Sequence, residues 1–120
     1  MRTVPALLLC LWGGAALAQA NPITGTYGDE GGCRRLAGQP VTTDMVFILA
    51  PDRVERWEST CPITRIMVDG DTPVQIDVAC SGEGETWTDS FLLSPLPGED
   101  GYLIGLVGEP GLRFEIRRCN

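Results

Sequence analysis

Residues 61–80 read CPITRIMVDGDTPVQIDVAC, and the reading of this stretch decides the fold. Its centre, Asp69-Gly70-Asp71-Thr72-Pro73, concentrates the residues that favour tight turns. Beyond it Val74, Ile76 and Val78 face one way while Gln75 and Asp77 face the other, the period-two signature of a sheet with one wet face. Ile63–Val68 supplies the strand before the turn, with Pro62 expected to break it from what precedes. Folding the two halves together makes an antiparallel hairpin, which sets the residue before the first strand beside the residue after the second. Cys61 and Cys80 occupy those positions and are predicted to form a disulfide that clamps the open end of the hairpin.

The rest of the chain carries the same alternation of short strands and turns. Ile23–Tyr27 reads as an opening strand, followed by a loop rich in glycine and charge from Gly28 to Gln39. Met45–Ala50 is a dense apolar run with β-branched members, hence a buried strand, and Pro51-Asp52 suits the centre of a type I turn. Val54–Ser59 returns, carrying Trp57; Ser81–Gly84 turns the chain into Glu85–Ser94, carrying Trp87, Phe91 and Leu93. Tyr102–Val107 follows, then a turn at Gly108-Glu109-Pro110-Gly111, and a last strand in which Leu112, Phe114 and Ile116 alternate with Arg113, Glu115 and Arg117. No run after Ala20 shows sustained helical periodicity. Strands joined by short links pair antiparallel, because parallel neighbours need long crossovers. The expected fold is therefore all-β, seven or eight strands in an up-and-down meander that closes into a barrel or half-barrel, with a two-sheet sandwich as the alternative. First and last strands are neighbours in a closed meander, so the remaining cysteines, Cys33 and Cys119, are expected to pair and staple the closure. Ile23-Thr24-Gly25-Thr26-Tyr27 resembles the G-x-W opening of lipocalin-like barrels over five residues, with tyrosine in place of tryptophan. No ligand is carried over from that resemblance.

The N-terminal segment sets the compartment. Arg2 precedes an uncharged run from Thr3 to Leu17, and Ala18-Gln19-Ala20 is a small-x-small cleavage site. This is the secretory pattern, and the apolar stretch is shorter than the roughly 20 residues of a membrane anchor. Residues 1–20 are read as a signal peptide and 21–120 as one β domain, periplasmic or secreted. Leu9 before Cys10 is too bulky for a lipoprotein box. The cysteines left after cleavage, Cys33, Cys61, Cys80 and Cys119, stand 28, 19 and 39 residues apart. Zinc sites built from cysteine show close pairs, and the chain has no histidine to complete a mixed site. An even set in a short exported chain reads as disulfides.

Composition removes several chemistries. The formal charge is −7, or −8 once Arg2 is lost, and every basic side chain is arginine. Phosphate backbones and anionic membranes would repel such a domain, so neither nucleic acid nor membrane is an expected partner; a cationic protein would be attracted, although acidity of this size commonly serves solubility alone. Ser59, Ser81, Ser90 and Ser94 have no histidine to activate them, and there is no lysine to act as base or nucleophile. Gly31-Gly32 and Gly82-x-Gly84 lack the lysine and helix of a phosphate loop. Asp69-Gly70-Asp71 lacks the later ligands of a calcium loop and is read as a hairpin turn. Glu83, Glu85 and Asp89 beside Trp87 raise the possibility of a sugar-cleaving pair, but a compact sheet this small offers little room for the required cleft.

The sequence thus predicts a monomeric, non-enzymatic binding protein without cofactor or metal. Its candidate binding surface is Trp57, Trp87, Glu85 and Asp89. The concrete form of that role is inhibition of a cationic secreted enzyme such as a lysozyme or protease. A small-ligand carrier with an apolar barrel interior is the alternative, and a carboxylate-based hydrolase the third. Export makes a direct prediction: the mature protein begins at Asn21, and its intact mass lacks residues 1–20 and carries no acyl chain.

Overall fold

The computed structural model describes residues 21–120; residues 1–20, read from the sequence as a signal peptide and including Cys10, lie outside the described residues. Eight strands run β1 (Tyr27–Gly28), β2 (Phe47–Leu49), β3 (Arg53–Arg56), β4 (Thr60–Asp69), β5 (Thr72–Gly82), β6 (Glu85–Pro95), β7 (Gly101–Leu106) and β8 (Glu109–Arg118). Each pairs antiparallel with the next, and β1 pairs with β8, so the meander closes into a barrel. The hairpin that decided the reading is β4–β5, paired from Thr60 opposite Ser81 to Asp69 opposite Thr72. Both expected disulfides are present, Cys61–Cys80 across that hairpin and Cys33–Cys119 at the closure. With sequence separations of 19 and 86, loop-closure entropy assigns them about 3 and about 4.5 kcal/mol.

Several boundaries differ from the sequence reading, each for a local reason. Gly25 takes φ +85 and interrupts the opening strand, so only Tyr27 and Gly28 remain in the sheet. Pro62 does not break the chain: it lies within β4 opposite Arg53, and the next N–H, from Ile63, donates to the Asp52 carbonyl at 2.9 Å. Pro73 likewise lies inside β5, leaving Gly70, at φ +67, to turn the hairpin. The last turn is Val107-Gly108, and Glu109-Pro110-Gly111 already belongs to β8, with a register shift at Gly105/Leu106 taking up the difference. Val54–Ser59 ends early, at Arg56, whose N–H donates to the Ser59 carbonyl at 2.9 Å to close a tight turn at Trp57-Glu58.

The loop predicted over Gly28–Gln39 contains a helix, α1 (Glu30–Leu36). Asp29 caps it, its Oδ1 accepting from Gly32 N at 2.7 Å and from Phe47 N at 3.0 Å. Glu30 in the first turn and Arg34 and Arg35 in the last complement the helix dipole. Gly31 and Gly32 have a packing role: a Cβ at either would come within 2.3 Å of the Met45 carbonyl or 2.2 Å of the Phe47 carbonyl. Their bareness lets α1 lie directly on β2. That explains why β2 is buried on both faces, with Phe47 and Leu49 in the barrel and Ile48 under the helix.

Inside, alternate residues of every strand form the core, including Val54, Cys61, Ile76, Val78, Phe91, Ile104 and Ile116. Phe47 sits edge-on to both Phe91 and Phe114, at 5.3 and 5.0 Å between ring centroids. At the β1–β8 seam the buried Tyr27 hydroxyl donates to Asp100 Oδ1 and accepts from Arg118 Nη2, each at 3.0 Å. The Arg118 guanidinium also lies 4.9 Å from the Tyr27 ring centroid. Burial, reinforced by the Asp100 carboxylate, pushes the Tyr27 phenol up to about 12 from its ordinary 10, with Arg118 opposing. The folded phenol therefore keeps its proton where the unfolded one has lost it. Its contribution to stability is complete below about pH 10 and is lost between about pH 10 and 12. Melting temperatures measured across that interval should decline. Tyr27→Phe should cost about 1 kcal/mol at neutral pH and make the alkaline decline shallower.

Candidate functional site: the open end of the barrel

The two ends of the barrel are built differently. One carries the β2–β3, β4–β5 and β6–β7 connections and is plugged by the residues leading into β1. Ile23, 1% exposed, joins the core there. Its N–H donates to Asn21 Oδ1 at 2.8 Å, and Asn21 Nδ2 donates to the Pro51 carbonyl at 2.7 Å. The opposite end carries the α1 connection and the β3–β4, β5–β6 and β7–β8 turns, and it opens into a pocket of about 480 Å³.

The pocket wall follows from strand alternation. Trp87 and Asp89 continue the inward face of Phe91 on β6; Arg56 continues that of Val54 on β3; Leu112 and Phe114 continue that of Ile116 on β8. The Cys61–Cys80 bridge and Phe47 complete the apolar part. Met45, Trp57, Glu58, Glu83 and Glu85 also border the opening. The residues predicted as a binding surface, Trp57, Trp87, Glu85 and Asp89, thus all line this one pocket.

Each aromatic is positioned by a polar partner. Trp87 Nε1 donates to Asp89 Oδ2 at 3.0 Å, two residues along the same strand face. Arg35 reaches from α1 to donate to the Arg56 and Trp57 carbonyls at 3.2 and 3.3 Å, and its guanidinium stacks 5.1 Å from the Trp57 ring centroid. The helix thereby pins the β3–β4 turn. Trp57 and Trp87 nevertheless remain 41% and 39% exposed.

The charges are arranged unevenly. Arg56 is the deep cation, its guanidinium 5.5 Å from the Phe47 ring centroid and 5.9 Å from that of Phe91. Both rings are almost wholly buried. Among the described residues neither Arg56 nor Asp89 takes part in an ion pair; the pairs that form use Arg34, Arg53, Arg117 and Arg118. At the rim, the Glu58 carboxyl is raised above the ordinary range because it hydrogen-bonds to, and is repelled by, Glu83. Sequence reading overlooked Arg56, Phe47, Phe114 and the disulfide as pocket wall. The signal was available for Arg56, which lies two residues from Val54 on the same strand face. Among the described residues no group of three or more acidic or cysteine side chains is placed to hold a metal ion.

No protein-family model matches this chain, and no curated protein or solved structure is significantly similar to it. The shape and chemistry of the site are therefore its own guide to function.

The rim also holds the strained residue of the barrel. Glu83 and Gly84 form the turn between β5 and β6 with φ values of 50 and 80, the positive-φ pair that a type I′ hairpin requires. Asparagine tolerates this conformation better than glutamate. Glu83→Asn should stabilise the protein by on the order of 1 kcal/mol, raising the melting temperature by about 4–8 °C. An NMR titration of the same variant should return the Glu58 carboxyl toward its ordinary range.

Proposed function

We propose that the protein is a non-enzymatic, exported binding module, and that the open barrel end is its recognition surface. The observation that carries this reading is the gathering of two half-exposed tryptophans and the carboxylates of Glu58, Glu83, Glu85 and Asp89 around one opening. Tryptophan is among the side chains enriched at interface hot spots, and rim carboxylates steer a positively charged partner into register. With a formal charge of −7 over the whole chain, the long-range field acts in the same direction. The concrete form of the proposal is inhibition of a cationic secreted enzyme. Two disulfides are compatible with an oxidising environment, and a periplasmic or secreted location follows within this reading.

A second reading, a small-ligand carrier, is favoured by the pocket itself. Below the mouth the barrel is filled by core side chains, so the available space is the 480 Å³ at the open end. That volume falls within the range of small-molecule sites, about 300–1,000 Å³. A sugar-cleaving site is less well supported. Glu58 and Glu83 act on each other directly at the rim, raising the Glu58 carboxyl, an arrangement unlike the two separated carboxyls of a glycosidase.

The inhibitor reading is tested by surface-binding kinetics and activity assays against purified cationic hydrolases, a lysozyme and a basic protease among them. Inhibition should accompany binding, with association slowing at least tenfold as salt shortens the screening length to about 3 Å at 1 M. Trp87→Ala should weaken the complex by about 2 kcal/mol. Failure of every cationic hydrolase in the panel to be bound or inhibited would remove this reading.

A further inference from the structure

We propose that the pocket at the open end binds a small zwitterion of the amino-acid or dipeptide class, its carboxylate received by Arg56 and its ammonium group by Asp89. The proposal rests on the small-ligand reading of this site and does not require the docking of a cationic protein.

Arg56 is the first half of the argument. It shares the inward face of β3 with Val54, which is fully buried, and its guanidinium lies against the rings of Phe47 and Phe91. Cation–π contact with these rings holds the group in place, but it satisfies none of the guanidinium's fork of N–H donors. No described carboxylate forms an ion pair with it, although the pocket is bordered by several. A guanidinium held at the apolar floor of a pocket without a carboxylate is suited to receive one from a guest, in the bidentate geometry that arginine favours.

Asp89 is the second half. It also faces inward, from β6, and one of its oxygens accepts from Trp87 Nε1 while the carboxylate as a whole lacks a cationic partner among the described residues. Opposite charges therefore line the same 480 Å³ space without neutralising each other. A guest bearing only a carboxylate must pass the Glu58, Glu83 and Glu85 rim, and a guest bearing only an ammonium must approach Arg56. A guest with both groups satisfies Arg56 and Asp89 together. The ring of Phe114 and the side chain of Leu112 offer its apolar portion a surface.

The two tryptophans of the described residues both line the pocket, so their fluorescence reports occupancy directly. Leucyl-phenylalanine should perturb the emission saturably. N-acetyl-leucyl-phenylalanine, which lacks the ammonium, and leucyl-phenylalanine amide, which lacks the carboxylate, should each bind at least tenfold more weakly. In Arg56→Leu, and in the more conservative Arg56→Gln, the dipeptide and its amide should bind alike. In Asp89→Asn the dipeptide and its acetylated form should bind alike. The comparison of the three ligands on the unmodified protein needs no variant to fold. Equal binding of the amide and the free dipeptide there, or absence of binding by all three at millimolar concentration, would overturn the proposal. Tighter binding of the amide would overturn it too, while leaving the cationic-partner reading standing. Dipeptide binding that depends on both ends, with no cationic hydrolase inhibited, would leave the zwitterion site standing without the inhibitor reading.

Discussion

The closure between β1 and β8 is the constraint on which the other features depend. It is a short seam: Tyr27 opposite Arg118 and Gly28 opposite Arg117 are its only register pairs. Two residues of ladder are little to hold a barrel shut, and three further interactions converge on the same place. The Cys33–Cys119 bond ties α1 to the end of β8, Cys119 N donates to the Thr26 carbonyl, and Tyr27 is held between Asp100 and Arg118. Covalent, backbone and side-chain links thus replace the sheet hydrogen bonds that a longer β1 would supply. Without the closure, β1 and β8 would be open edges, and the inward faces of all the strands would lose their common core.

The shortness of β1 also shapes the open end. Because the chain leaves the sheet at Gly28, it reaches β2 by way of α1, and that helix lies against β2 on the outside of the barrel. From there Arg35 extends to the β3–β4 turn and stacks on Trp57. The mouth is therefore organised from outside by a helix and from inside by the alternation of β3, β6 and β8. Its apolar wall includes Phe47 and Phe114, and Phe47 packs edge-on to both Phe91 and Phe114.

Much of the fold was legible because period-two alternation is a local property. Ile76 and Val78 reveal the face they bury without knowledge of any partner, whereas Val74, beside the register shift at Met67/Val68, is only half-buried and Pro73 takes the buried place. The Cys61–Cys80 pairing followed from the hairpin alone, and Cys33–Cys119 from the neighbourhood of first and last strands in a closed meander. The helix was not legible: seven residues are too few for a 3.6-residue period to appear, and its glycines argue against it. Its stability comes from the Asp29 cap and from contact with β2, and Phe47, which donates to that cap, is distant in sequence. The prolines misled for a related reason, since whether a missing N–H matters depends on the partner strand, and at Pro62 and Pro73 the ladder continues past them.

The sequence by itself determined the strand order, the antiparallel meander, the disulfide pairing and the acidity of the chain. All of these follow from local alternation, short connections and composition. It also singled out Trp57, Trp87, Glu85 and Asp89 as chemically notable. Only the tertiary structure decided that these four share one pocket, that the barrel is plugged at one end and open at the other, and that Arg56, without an ion-pair partner among the described residues, lies against buried rings within that opening. The physical reason is that a side chain's partner across a barrel is set by register and curvature, which bring residues dozens of positions apart to one depth. Local pattern specifies which way a residue faces, whereas closure of the barrel specifies what it faces.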